Sequence, residues 1–131
     1  MTDEKKYKVL IVDDDEFLLN MYSVKFAKSG LDVQTATSAE AGIRKLKEGL
    51  KPDALIVDLV MPGMDGFELL KAVREQKLAQ DAALIVLTNQ GQAADIDRAR
   101  EFGVVGYIVK ASTIPSEVLT EVLRFLKAAE K

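Results

Sequence analysis

Histidine, cysteine and tryptophan are absent from this chain of 131 residues, and proline occurs only 3 times. Without His or Cys there is no imidazole base, no thiolate nucleophile, no soft-donor metal site and no disulfide framework. Any site must therefore be built from carboxylates, hydroxyls, amides and amines. The lack of cysteine fits a reducing compartment. No apolar run approaches the length of a membrane span, and the polar start Met1-Thr2-Asp3-Glu4-Lys5-Lys6 carries no apolar export segment. A cytoplasmic protein without membrane insertion is the expectation. Nor is there an excess of basic charge: 18 Lys and Arg stand against 21 Asp and Glu, a net charge of -3. This argues against direct nucleic-acid binding, which needs a basic face.

What the chain does have is the composition of an ordinary globular domain, 48% hydrophobic and 30% charged. Its length suits one domain over residues 1–131, with a structured core over about 8–127. No repeat, low-complexity segment or linker interrupts it. Lys8 to Val12 reads as an apolar strand running into Asp13-Asp14-Asp15, followed by a helix over Glu16 to Ser29 with an apolar stripe of Phe17, Leu18, Met21, Tyr22 and Phe26. Gly30 ends that helix, Asp32 to Ala36 is a second strand, and Ser38 caps a helix that ends near Gly49. Ala54 to Val57 forms a third strand. Phe67 to Gln76 is a helix, Ala82 to Leu87 a strand, and Ala93 to Phe102 a helix with a thin stripe of Ile96, Ala99 and Phe102. Gly106 to Val109 is the last strand, and Pro115 opens the last helix, to about Glu130, with Val118, Leu119, Val122, Leu123 and Leu126 inward. Strands alternating with helices predict an α/β fold, a doubly wound parallel sheet with right-handed crossovers.

In such a sheet the carboxyl ends of all strands share one edge. That edge collects Asp13 and Asp14 from the first strand, Asp58 from the third, Thr88 from the fourth and Lys110 from the fifth. Each has an ordinary explanation when taken alone, such as a helix cap or a solvated surface charge. Together they form a set in which carboxylates repel and at least one should titrate high unless a cation binds. An all-oxygen donor set with room for water suits Mg²⁺. A carboxylate flanked by a cation site, an ammonium and a hydroxyl is equipped for phosphoryl transfer. Met61-Pro62-Gly63-Met64-Asp65-Gly66 leaves room above Asp58.

Four stretches carry a resemblance to the receiver domain of two-component response regulators. They are Val9 to Asp15, the Asp58 strand with Met61 to Gly66, Val86-Leu87-Thr88, and Gly106 to Lys110. The resemblance implies a flavodoxin-like (βα)5 fold with strand order 2-1-3-4-5. It also implies that Asp58 takes a phosphoryl group from a phosphohistidine on a sensor histidine kinase or a histidine phosphotransfer protein, as in a phosphorelay. Asp14, Asp58 and the backbone carbonyl of Val60 would then hold Mg²⁺ directly and Asp13 through water, while Thr88 and Lys110 bind phosphoryl oxygens. Thr88 and Tyr107 would switch the surface of helix four, strand five and helix five toward a downstream protein. Val60, Asn89 and Gln90 occupy the positions that tune phosphoryl lifetime and donor access. Such a chain is a signalling phosphoacceptor rather than an enzyme, either a monomer or a phosphorylation-dependent dimer.

The chain departs from the family where a proline usually follows the lysine: here Lys110 precedes Ala111, and that peptide is expected to be trans or strained. Asn89 is larger than the family's usual small residue. Leu19, Val24 and Phe125 fall off the expected core faces and read as candidate docking contacts. With no DNA-binding unit after the last helix, the expected form is a stand-alone receiver, similar to the chemotaxis response regulator. Two other readings compete: a receiver-like docking module not controlled by phosphorylation, and an Asp-nucleophile, Mg²⁺-dependent phosphatase of the haloacid dehalogenase type. For the phosphatase, Asp13-Asp14-Asp15-Glu16-Phe17 lacks the Thr or Val expected at its last position. A flavodoxin or dinucleotide binder is weaker still, since no Gly-rich loop follows the first strand.

Overall fold

The computed structural model describes residues 6–89, 92–110 and 113–129. Strands β1 (Lys8–Val12), β2 (Asp32–Ala36), β3 (Ala54–Val57), β4 (Ala83–Thr88) and β5 (Val104–Val109) alternate with helices α1 (Glu16–Lys28), α2 (Ala39–Lys47), α3 (Gly66–Glu75), α4 (Ala93–Glu101) and α5 (Pro115–Ala129). The strands form one parallel sheet in the order β2-β1-β3-β4-β5. None of the described helices is long and apolar enough to cross a membrane.

The period-2 alternation of side chains divides the apolar strands between two cores. Leu10, Val12, Leu55, Val57, Leu84 and Val86 pack under α2, α3 and α4, whereas Val9, Ile11, Ala54, Ile56, Ile85 and Leu87 pack under α1 and α5. Burial on both faces explains why β3 is apolar throughout and β4 is apolar up to Thr88. The chain leaves β1 toward β2 and then returns past it to β3. The sheet therefore reverses its order between β1 and β3, where open α/β sheets form a crevice at their carboxyl edge.

Three expectations need correction. On α1 the buried stripe is Leu19, Tyr22 and Phe26, while Phe17 is 70% exposed. Apolar residues surround this helix on most sides, so their spacing did not fix which side faces inward. Leu19 is accordingly a core residue; Val24 is exposed, as expected. Phe125 is also no free docking contact, since it is half-buried against the α1/α5 core with its ring over Gly106. β5 starts at Val104 and carries an irregularity in its register with β4. The expected end of the last helix, near Glu130, lies outside the described residues.

The loop after β3 is fixed by a close approach. Asp65 caps α3 through a reciprocal box with Glu68, both bonds at 2.9 Å. Gly66 donates its N–H to the Leu59 carbonyl at 3.0 Å, and a Cβ on Gly66 would collide with the backbone of Asp58 and Leu59. Gly66→Ala is expected to lower folding stability by about 1–3 kcal/mol, because the clash is with backbone and not with a yielding side chain. Urea unfolding reads this directly, and an unchanged midpoint would show that the loop relaxes freely.

Candidate functional site

β1 and β3 end side by side, and the pairing continues one residue past each. Asp13 N–H donates to the Ala36 carbonyl at 3.1 Å, and Asp58 N–H to the Val12 carbonyl at 3.0 Å. This anchors both aspartates by their backbones at the sheet reversal. Their side chains are held by the turns that follow. Asp15 N–H donates to Asp13 Oδ1 at 2.9 Å, and Val60 N–H to Asp58 Oδ1 at 3.3 Å. Asp15 was not singled out from the sequence. It also caps α1, accepting from Leu18 N–H at 3.2 Å, so one residue starts the helix and restrains the carboxylate before it. An Asp immediately before a helical run was the available signal.

Lys110, at the end of β5, reaches both buried carboxylates. Its Nζ lies 2.5 Å from Asp13 Oδ2 and 3.2 Å from Asp58 Oδ2. Asp13 and Asp58 are only 2% and 6% exposed, whereas Asp14 is exposed at the rim. One oxygen from each of Asp13, Asp14 and Asp58 can be drawn so that all lie within 4.8 Å of one another. Burial raises the Asp13 carboxyl above its ordinary 3.8, against the hydrogen bond from Lys110 that pulls it down; the Asp58 charge adds a smaller upward push. For Lys110, burial alone would depress the ammonium, but the bond to Asp13 and the charges of Asp58 and Asp13 outweigh it and raise the group above 10.5. The ammonium therefore stays charged and holds the pair together.

Thr88 ends β4 between the two acidic strands and β5. It is fully buried, and its Oγ1 has no hydrogen-bond partner among the described residues. A buried hydroxyl without a partner is costly unless a ligand completes it. Asn89 is exposed beside it, Val60 is 54% exposed at the rim, and Gln90 lies outside the described residues. Tyr107 is half-buried on β5, packed toward the α4 side, and burial, then the charges of Asp95 and Asp58, raise its phenol above 10. The Lys110–Ala111 peptide lies outside the described residues. Beyond it, Thr113 closes the turn through Oγ1 to the Val109 carbonyl at 2.7 Å and N–H to the Lys110 carbonyl at 3.2 Å.

The donors offered here are carboxylate oxygens and one hydroxyl, with no nitrogen or sulfur base. Such a set fits a hard divalent cation that keeps part of its water shell. The buried pair with its ammonium can then take up a further anionic group at the Thr88 hydroxyl.

Comparison with known proteins places this geometry in context. Residues 9–124 match the family described as the response regulator receiver domain. Chemotaxis protein CheY of Thermotoga maritima is 36% identical over 79% of this chain and 84% of its own length. The alkaline phosphatase synthesis transcriptional regulatory protein PhoP of Bacillus subtilis is 33% identical over 94% of this chain but only 50% of its own. Thus the chain spans about half the length of several curated relatives that it matches. Among solved structures, chemotaxis protein CheY4 of Vibrio cholerae superposes with a TM-score of 0.84 at 30% identity, covering 92% of this chain and 99% of that one.

The high Asp13 carboxyl carries a stability consequence. The folded chain holds that proton more tightly than the unfolded one, so the contribution is most favourable in acid and falls as pH rises from 3.8 through the folded value. Asp13→Asn is therefore expected to raise the urea midpoint of metal-free protein at pH 7, with the gain closing toward about pH 3. Equal midpoints at pH 7 would mean that Lys110 fully offsets the cost of burying the charge.

Proposed function

The chain belongs to the response regulator receiver domain family, and from that premise we propose that Asp58 accepts a phosphoryl group from a phosphohistidine on a sensor kinase or histidine phosphotransfer protein. Receiver domains of this family are signalling phosphoacceptors that work between histidine kinases and downstream effectors. The observation that carries the reading is the Asp13–Lys110–Asp58 bridge at the same sheet edge as a buried Thr88 hydroxyl that has no partner among the described residues.

In the proposed step an Asp58 oxygen attacks phosphorus in line with the leaving nitrogen. The P–O bond forms as the P–N bond breaks, and the donor imidazole, protonated on its other nitrogen, leaves as the neutral ring. Lys110 holds its ammonium against the phosphoryl oxygens, and Thr88 donates its hydroxyl proton to one of them. Asp14, Asp58 and the Val60 carbonyl would ligate Mg²⁺ directly, with Asp13 acting through water. Bound there, Mg²⁺ would offset the charge of the carboxylates and the incoming phosphoryl group. The chain has no histidine and so needs a donor.

Drawing Thr88 toward the phosphoryl group would open space for Tyr107 to turn inward, changing the surface of α4, β5 and α5 that a downstream protein meets. Phosphorylation favours that form only by its differential interaction with the two states. This is the role of a signalling phosphoacceptor rather than of a turnover enzyme.

Intact mass after incubation with a small acyl phosphate or phosphoramidate tests the reading. The parent chain is expected to gain one phosphoryl group only with Mg²⁺, and Asp58→Ala to gain none. A parent chain that binds Mg²⁺ yet takes no phosphoryl group, even from a phosphohistidine protein, would leave a docking module outside phosphoryl control. Asn89→Ala is expected to speed labelling by small donors about 2–5-fold, a barrier change under about 1 kcal/mol, by clearing the rim. Equal rates would remove Asn89 from donor access. Val60 offers no group to orient an attacking water, so the phosphorylated form should last minutes or longer; decay within seconds would contradict this.

A further inference from the structure

Helix α4 has little apolar purchase on the sheet. Ala99 is its only buried residue, and Gln92 at its N-cap makes no side-chain bond. Two arginines supply contacts that the core does not. Arg98, on α4, lays its guanidinium 4.0 Å from the centroid of the Phe67 ring at the start of α3. Arg74, in the last turn of α3, donates from Nε to the Phe102 carbonyl at 2.5 Å, at the C-cap of α4. A cation there meets the negative end of the α4 dipole as well as an open carbonyl. Gly103 makes the approach possible: it turns at φ +87, and a Cβ on it would overlap the Arg74 guanidinium.

One arm of this arrangement also borders a hollow that it shares with the loop that carries the site. Arg98 lines a hollow of about 400 Å³ together with Leu59, Val60, Met61 and Phe67. Val60 in turn donates its N–H to the Asp58 carboxylate. The contacts holding α4 are thus made by exposed cations, and one of them, Arg98, borders the same hollow as the loop after β3. They can open at far lower cost than a packed apolar face.

We propose that Arg74 and Arg98 form a cationic clamp that pins the C-terminal half of α4 to α3 in the resting chain, so that its opening sets how readily the chain reaches the phosphorylation-competent form. The second half of this statement rests on the reading of Asp58 as phosphoacceptor; the first does not. Both arginines are exposed. Replacing them by glutamine keeps helix propensity nearly constant, so the fold should persist.

The test compares the parent chain with Arg74→Gln, Arg98→Gln and the double variant. Amide exchange over residues 93–101 is read first, without any phosphodonor. Exchange there is expected to rise several-fold in each single variant and further in the double, with α1 and α5 unchanged. The initial rate of labelling by acetyl phosphate at fixed Mg²⁺ is then expected to rise about 2–5-fold in the double variant, as the competent population grows. Unchanged α4 exchange in all three variants overturns the clamp. Faster exchange with an unchanged or lower labelling rate overturns its control of the site. If no form of the chain is labelled by acetyl phosphate or by a phosphohistidine protein, the reading of Asp58 falls instead, and exchange alone decides whether the arginines hold α4. The single variants keep the test open should the double variant fold poorly.

Discussion

Everything at the carboxyl edge of the sheet depends on the Lys110 ammonium shared between Asp13 and Asp58. The sheet reversal brings two strand ends together, and each ends in a buried aspartate. Two such carboxylates cannot both remain charged in so dry a place without a counter-ion. A lysine directly after β5, reaching past the β4 end, supplies one within the chain. The bridge gives the buried carboxylates their counter-ion while leaving the exposed Asp14 and the buried Thr88 hydroxyl uncommitted among the described residues. The same groups that make the resting site tolerable are therefore those that would receive a cation and a phosphoryl group.

That polar edge is carried by a platform with almost no freedom. β3 and β4 are buried along their whole length, and the cores on the two faces of the sheet hold the strands in register. Close packing of this kind resists gradual deformation, so movement must be drawn from elements that are weakly packed. α4 is such an element, with one buried residue against five on the slightly longer α3. Rigidity at the site and softness at α4 are complementary: the first fixes distances among the site residues, and the second would let a change of charge there reach a surface.

Much of this was legible in the sequence, and the remainder was not for identifiable reasons. Apolar runs ending in Asp13, Asp58, Thr88 and Lys110 gave the strands and their shared edge, because parallel strands buried on both faces need continuous apolar residues. The orientation of α1 was not legible, since Phe17, Leu18, Leu19, Met21, Tyr22 and Val24 offer apolar side chains in nearly every direction. Phe125 looked free because its partner is the absent side chain of Gly106, a space that no periodicity reveals. The sequence placed Lys110 at the edge but could not say that it bonds Asp13 more closely than Asp58. That preference is set by how the β5 end lies over the sheet. The Arg74 and Arg98 contacts were hidden for a similar reason: exposed helix arginines usually mark a solvated face.

The central claim is that Asp58, and no other carboxylate of the cluster, receives the phosphoryl group. Borohydride reduction of the phosphorylated chain converts an aspartyl phosphate to homoserine, which peptide mapping then locates. The account predicts homoserine at position 58 alone, formed only when Mg²⁺ was present during labelling. Homoserine at position 13 or 14 would contradict it and would make the first strand, as in the phosphatase reading, the source of the nucleophile.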